Sequence, residues 1–213
     1  MRNDLFEKLL NKSITKEELA QITVKNPKLI PTILDGVHSS KASIRYGCAS
    51  VLKLISEEKP EKLYQYMDFF IQLLDSKYRI LTWIGIVIIA NLSVIDKENK
   101  FEKIFTKYYS FLDNEYMVTV ANVVGNSGKI AIAKPYLSQK ISNELLKVEN
   151  ISTTPHLSNE CKNVIIEKTI KSFDMYYNSI HNKEEIISFV TRQLKNSRKS
   201  VRTEAEKFLK KWN

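Results

Sequence analysis

Basic side chains are concentrated near the end of this sequence. Eight lysines and arginines lie within twenty positions there, against two glutamates. They are Arg192, Lys195, Arg198, Lys199, Arg202, Lys207, Lys210 and Lys211. Such a cluster attracts phosphate groups or acidic peptides through Coulomb forces. The sequence leaves open the alternative of a solvated surface whose lysines complement the dipole of a helix.

The net charge of +9 is unevenly distributed along the chain. Segment 179–213 carries nine lysines and arginines against four acidic residues, which is more than half of the excess. A general surplus of lysine, asparagine and isoleucine also suits an AT-rich genome. The uneven distribution makes the C-terminal segment the first candidate for contact with an acidic partner.

Residues that often carry catalysis are not arranged for it here. The histidines, His38, His156 and His181, do not pair at metal-ligand spacing, and neither cysteine has a close partner in sequence. An isolated cysteine behaves as a small hydrophobe, so we predict that Cys48 and Cys161 are buried thiols. No catalytic residue, metal site or cofactor is therefore predicted, and no small-molecule substrate is expected.

Segment 125–129, Gly-Asn-Ser-Gly-Lys, is superficially similar to a phosphate-binding loop. It lacks the full spacing of that motif and the strand that precedes it. We interpret the two glycines as a helix break. The longest apolar stretch, 80–92, is interrupted by polar residues and is too short to span a bilayer. With no apolar leader at the N-terminus, we expect a cytoplasmic protein without membrane contacts.

A helix-turn-helix pattern recurs about every forty residues and would position all of these side chains. Its second helix is anchored by Ile44, Ile80, Met117, Cys161 and Val201, at steps of 36, 37, 44 and 40 residues. Repeats of this length form stacked helix pairs, each completed by its neighbours. The prediction is an all-α fold, a right-handed α-α superhelix of about five helix pairs.

The chain is predicted to be one α-solenoid domain over 1–213. Segment 1–26 supplies N-terminal capping helices, with a capping box at Thr15 and Glu18. Segment 27–178 holds the repeats, and Pro31 predicts a kink or a late start in their first helix. Segment 179–213 is the basic C-terminal repeat.

The anchors resemble the HEAT and armadillo class of α-solenoids. Ile44-Arg45…Cys48…Val51-Leu52 and Val201-Arg202…Ala205…Phe208-Leu209 match the second-helix pattern of HEAT repeats best. The resemblance covers roughly 27–213 and weakens over 135–175, and the third and fourth pairs lack the arginine. It implies a concave surface lined by second helices, into which Arg45 and Arg202 would point together. The predicted macromolecule-binding residues are Arg45, Asn91, Asn122, Asn126, Arg198, Lys199 and Arg202.

The function predicted from this arrangement is a non-catalytic scaffold or adaptor that binds a protein partner. The alternative is nucleic-acid binding through the basic C-terminal repeat, with or without alkylpurine DNA glycosylase activity. Some HEAT-like enzymes of that kind use an aspartate and tryptophans, but Trp83 and Trp212 fall on apolar helix positions that favour the core. The tyrosine pairs at 108–109 and 176–177 could stack on bases, although packing is expected for at least one of each pair.

Overall fold

The computed structural model describes residues 2–212, with side chains from residue 5 onward, and its regular elements are helices. Short 3-10 turns join many of the α-helices. The α-helices of this part of the chain are α1 (Arg2–Leu10), α2 (Lys16–Lys25), α3 (Ile30–Val37), α4 (Ala42–Glu58), α5 (Met67–Gln72), α6 (Arg79–Leu92), α7 (Lys100–Ser110), α8 (Met117–Ala133), α9 (Ser138–Leu146), α10 (Asn159–Tyr176), α11 (Lys183–Arg192) and α12 (Lys199–Trp212).

The chain divides into two compact units, 1–100 and 101–213. The first unit contains the helices up to α6, and the second contains nearly all of α7 and the helices after it. The predicted single domain, with its three segments, stays a prediction. Two helix pairs follow α2 in the first unit, and three make up the second.

The second helices of the pairs, α4, α6, α8, α10 and α12, begin at residues 42, 79, 117, 159 and 199. The steps between these starts are 37, 38, 42 and 40 residues. The equivalent buried positions lie two residues into the helix, and include Leu81 and Thr119, whereas the predicted anchor Ile80 is 39% exposed. One residue turns a helix by about 100°, so this small error in register places the wrong side chain in the core. Because the residues next to Ile80 are also apolar, the sequence pattern does not show which of them is buried.

Prolines mark three of the boundaries at which a new helix begins. The backbone N–H of Asn26, Lys59 and Lys134 each donates to the carbonyl oxygen four residues earlier, at 2.8 Å. The proline that follows each of them begins a 3-10 turn, where its missing N–H costs no hydrogen bond. After the first of these turns α3 begins at Ile30, with Pro31 in its first turn, which confirms the predicted late start.

A short polar side chain closes the turn inside four of the helix pairs. The side-chain oxygens of Ser39, Ser76, Asn114 and Asn196 each accept from the backbone N–H two residues later, at 2.9–3.2 Å. Such local bonds favour turns over continued helix. The connection between α9 and α10 is longer and ends at Ser158, which caps α10.

The N-terminal capping box is present. The Thr15 hydroxyl accepts from the Glu18 backbone at 3.1 Å, and a Glu18 carboxylate oxygen accepts from the Thr15 backbone at 2.8 Å. These bonds lower the pKa of Glu18, since they favour its charged form. Both α1 and α2 pack against α4, as expected for helices that cover the first pair.

Helix α8 runs without interruption through segment 125–129, so the predicted helix break is wrong. Its glycines do not have positive φ angles. A Cβ added at Gly128 would lie 2.6 Å from Sδ of Met175 and 3.2 Å from the carbonyl oxygen of Ser172. Position 128 is therefore a glycine because α10 approaches closely there, and not because a turn requires it.

Candidate macromolecule-binding surface

Arg45 lies near the start of α4 and is only 6% exposed. Its Nη1 donates to the carbonyl oxygens of Ser39 and Ser40 at 2.8 and 3.2 Å. Its guanidinium carbon lies 3.8 Å from the centre of the Tyr78 ring, within the range of a cation–π contact. Arg45 therefore holds the turn that precedes its own helix.

Arg202 repeats this arrangement at the start of α12. Its Nη1 donates to the carbonyl oxygens of Asn196 and Ser197 at 2.7 and 2.8 Å, again six and five residues earlier. Its side chain is half-buried, more open than that of Arg45. The shared arginine of the two matching segments thus has a shared structural task. That the two arginines point into one groove stays a prediction, since they belong to different units.

Asn91 lies in the core of the first unit. It is 3% exposed, and its Nδ2 donates to Oγ of Ser56 at 2.8 Å. This bond links α4 to α6. The amide therefore serves packing between second helices and is not presented on an exposed surface.

Carboxylates on α10 pair with residues at the start of α12 and in the turn before it. Glu160 forms an ion pair with Arg198, and Glu167 accepts from Oγ of Ser200 at 2.6 Å. Hydrogen bonds from Asn163 and Arg198 lower the pKa of Glu160. Bonds from Lys171 and Ser200 likewise lower the pKa of Glu167. Part of the positive charge predicted for a binding patch is therefore balanced inside the second unit.

Asp174 lies seven residues after Glu167 on α10, just as Glu167 lies seven residues after Glu160. It accepts from Nζ of Lys211 at 2.8 Å and from Nε1 of Trp212 at 2.6 Å. The Trp212 ring also packs at 4.8 Å on Tyr177. Trp212 is half-buried, so it covers the end of the last helix pair, with its polar edge on a carboxylate.

Lys199 is exposed, as are Lys195 and Lys210. In the described part of the chain these three lysines take part in no ion pair. They carry the portion of the C-terminal charge that remains available to a partner.

Asn122 and Asn126 lie on α8, on a surface that we call the α8–α10 face. It comprises Val118, Asn122, Gly125, Asn126, Lys129 and Ile132 of α8, with Val164, Lys168, Lys171 and Met175 of α10. Within each helix these positions share one stripe. A Cβ at Gly125 would lie 3.8 Å from Nζ of Lys168, so the two stripes lie side by side.

The α8–α10 face combines polar groups with exposed apolar side chains. Nδ2 of Asn126 donates to the backbone carbonyl of Asn122 at 2.8 Å, and both residues are half-buried. Val118, Ile132 and Met175 are 42%, 54% and 48% exposed. Ile132 and Met175 also border a cleft of about 340 Å³ beside the end of α12. Isolated exposed apolar residues are ordinary, but here they lie along one surface.

Sequence reasoning missed the residues of α10 in this face. Lys168, Lys171 and Met175 follow the spacing i, i+3 and i+7, opposite the buried Ile166, Ile170 and Phe173. The apolar period of α10 was therefore the available signal. The weak match of this helix to the HEAT pattern concealed it.

The structure also places the two tyrosine pairs, the two cysteines and Trp83. All four tyrosines of the two pairs are buried, so they pack in the core and do not offer stacking surfaces. Cys48 is buried, and burial raises the pKa of its thiol to about 12. Cys161 is only half-buried, which corrects its prediction as a buried thiol, and Trp83 is also half-buried.

No helix in the described part of the chain is both long and apolar enough to cross a membrane. A group of three or more metal-ligating side chains is likewise not found among the residues described.

No protein-family model and no curated protein sequence matches this chain. Solved structures do match it. The designed armadillo repeat protein YIII(Dq)4CqI is 15% identical, with a TM-score of 0.65, over 100% of this chain and 93% of that protein. A related design, YIII(Dq.V1)4CPAF, solved with the peptide (KR)4, is 13% identical, with a TM-score of 0.63, over 99% and 92%.

An engineered protein is also similar, at 12% identity and a TM-score of 0.53, over 98% of this chain and 87% of that one. At such identities the likeness concerns the fold alone. It confirms the predicted all-α helical-repeat fold of the armadillo and HEAT type.

Proposed function

We propose that this protein is a non-catalytic scaffold whose α8–α10 face binds an extended, acidic segment of another protein. Amides, lysines and exposed apolar side chains lie together on one surface of two adjacent second helices, and this observation supports the proposal most directly. Repeat proteins use such extended surfaces to bind extended partners. The proposal keeps the predicted scaffold role and moves its centre from the C-terminal arginines to α8 and α10.

The polar groups of the face suit a peptide backbone. A side-chain amide both donates and accepts, as each peptide unit does. Asn122 and Asn126 lie one helical turn apart, and Gly125 between them leaves the helix surface low. An extended chain could approach closely there, because no side chain at 125 stands in its path.

Charge selects the kind of peptide. The face includes Lys129, Lys168 and Lys171 and no acidic residue of its own. Lys171 contacts Glu167 at 2.6 Å at the edge of the face, which reduces its share. The similar design solved with (KR)4 has a basic peptide as its ligand. We expect the opposite preference here, since lysines on the face repel such a ligand.

The test is binding of fluorescein-labelled octapeptides (DE)4 and (KR)4, and of a 20-nucleotide single-stranded DNA, followed by anisotropy. We expect (DE)4 to bind and (KR)4 not to bind. Lys168→Glu should weaken (DE)4 binding by about tenfold, the effect of roughly 1.4 kcal/mol. The double variant Asn122→Ala/Asn126→Ala should weaken (DE)4 binding by a similar factor, because the side-chain amides that hydrogen-bond the peptide backbone are removed.

Matched controls are Lys103→Glu, an exposed lysine on α7, and Asn182→Ala, an exposed asparagine that precedes α11. Neither should change the affinity for (DE)4. Equal losses in Lys168→Glu and Lys103→Glu would reject the α8–α10 face as the site. Tighter binding of DNA than of (DE)4, with a steep salt dependence, would favour the nucleic-acid alternative instead.

A further inference from the structure

The first unit contains a cleft of about 470 Å³ between the turns of its first two helix pairs. Basic, hydroxyl-bearing, aromatic and aliphatic side chains line it. The lining includes His38, Ser39, Arg45, Phe69, Lys77 and Tyr78. None of the described residues that line the cleft is an aspartate or a glutamate.

The guanidinium of Arg45 is the central feature of this cleft. Arg45 is more than nine-tenths buried, yet none of the described carboxylates is paired with it. Its hydrogen bonds go to two backbone carbonyls and, at 3.5 Å, to the Tyr46 hydroxyl, and its Nε has no hydrogen-bond partner. A buried charge normally has a counter-charge, since desolvation is costly without one. The cleft is thus electrostatically incomplete.

Two helix N-termini add to the positive potential. Ser39 and Ser40 precede α4, and Ser76 and Lys77 precede α6, and all four line the cleft. Both helices are longer than twelve residues, and their N-terminal ends carry partial positive charge. Lys77 is exposed at the rim, with its ammonium 5.2 Å from the centre of the Tyr78 ring.

The lining of the cleft also includes apolar and aromatic side chains. Phe69 is half-buried and packs edge-on against His38, with ring centroids 5.4 Å apart. Leu73 and Leu81, which also line the cleft, are buried. A bare inorganic anion would leave these apolar side chains uncovered. A ligand with a ring or aliphatic body attached to its anionic group would cover them.

We propose that this cleft binds a phosphoryl group carried on an aromatic body, as in a phosphotyrosine side chain or a small aryl phosphate. Arg45 and Lys77 supply the positive charge, the seryl hydroxyls supply donors, and Phe69 and Tyr78 contact the ring. Phosphate is preferred to carboxylate because donors from several directions suit three terminal oxygens and a double charge. This site lies in the first unit and is independent of the α8–α10 face.

The test is calorimetric titration with phenyl phosphate, inorganic phosphate, benzoate and a phosphotyrosine-containing pentapeptide. We expect saturable binding of phenyl phosphate, weaker binding of inorganic phosphate and no detectable binding of benzoate. Lys77→Gln should weaken phenyl phosphate by about tenfold, and Arg45→Gln by more, because each removes a charge-assisted contact. Binding of the pentapeptide in addition would identify a protein source of the phosphoryl group, and its absence a small-molecule source.

Arg202→Gln and Lys97→Gln are the matched controls. Arg202 makes the same turn contacts as Arg45 but does not line this cleft, and Lys97 is an exposed lysine elsewhere in the first unit. Both variants should bind phenyl phosphate as the wild type does. If Arg45→Gln fails to fold by circular dichroism, Lys77→Gln alone decides. Absence of saturable binding, or unchanged binding in Lys77→Gln, would overturn the proposal.

Discussion

Helix α10 contacts its two neighbouring second helices through different chemistry. Toward α8 it presents small and flexible residues. Ser172 donates to the carbonyl oxygen of Val124 at 2.6 Å, and Met175 lies where a side chain at Gly128 would have to be. The backbones therefore approach closely, and this contact is largely buried.

Toward α12 the same helix presents Glu160, Glu167 and Asp174, which pair with basic and polar groups in partly exposed positions. The first contact depends on shape, and the second depends on charge. Shape complementarity does not vary with pH or salt, whereas exposed ion pairs do. Helix α10 therefore has two unlike contacts. The contact with α8 tolerates no added side-chain volume, and the contact with α12 tolerates changes of side chain.

The largest expected effect is from Gly128→Ala. The added Cβ would overlap Sδ of Met175 and press on the Ser172 carbonyl, so we expect a loss of about 1–2 kcal/mol in the free energy of unfolding. Gly125→Ala is the matched control, because its Cβ would meet only ordinary contacts at 3.8 Å or more. It should stabilise the protein by about 0.5–1 kcal/mol through helix propensity. Urea denaturation measures both, and equal signs for the two variants would contradict the comparison.

Ser172→Ala should have the next largest effect. It removes a buried hydrogen bond between α10 and α8 without adding volume, and should cost about 1 kcal/mol. Ser110→Ala, which removes an exposed bond from a serine hydroxyl to a carbonyl at 2.8 Å, should cost much less. A cost for Ser172→Ala no greater than that for Ser110→Ala would show that the α8–α10 contact does not depend on this bond.

The smallest effect is expected from acid, and it should be confined to the α12 side. The folded-state pKa values of Glu160 and Glu167 are lowered from the ordinary 4.5. Their contribution to stability is therefore complete above that value and is lost as the pH falls through the folded-state pKa values. The urea midpoint should fall less between pH 6 and pH 3 in Glu160→Gln/Glu167→Gln than in the wild type.

The control for acid is Glu61→Gln/Glu184→Gln, which changes two exposed carboxylates that form no ion pair within the described residues. Its urea midpoint should fall with pH as steeply as that of the wild type. A matching flattening in both double variants would mean that the α10–α12 pairs contribute nothing specific to acid sensitivity.

Local features of the fold were predictable from sequence. The capping box at Thr15, the late helix start at Pro31 and the polar turn residues depend on bonds between close neighbours in the chain. Such bonds are similar in most contexts, so residue type predicts them well. The helical-repeat fold was predictable for a related reason, since its period is written in the spacing of apolar residues.

The candidate site was much less predictable. Arg45 and Arg202 are alike in sequence and in their turn contacts, but Arg45 is also covered by a tyrosine and lines the cleft of the first unit. Asn91 and Asn126 are the same residue type on second helices, and one is buried while the other is half-buried. These differences depend on residues thirty or more positions away, which no local pattern contains.

The spacing and type of residues along the chain were enough to specify paired helices, most of their turns and the distribution of charge. Which of those charges remain available depends on how the helices pack. Folding places Glu160 against Arg198, fills the space above Gly128 with Met175, and buries Arg45 with no described carboxylate paired to it. The two kinds of interaction act over different distances along the chain. Helix formation and capping act over a few residues, whereas packing and charge pairing join residues that are distant in the chain and meet only after folding.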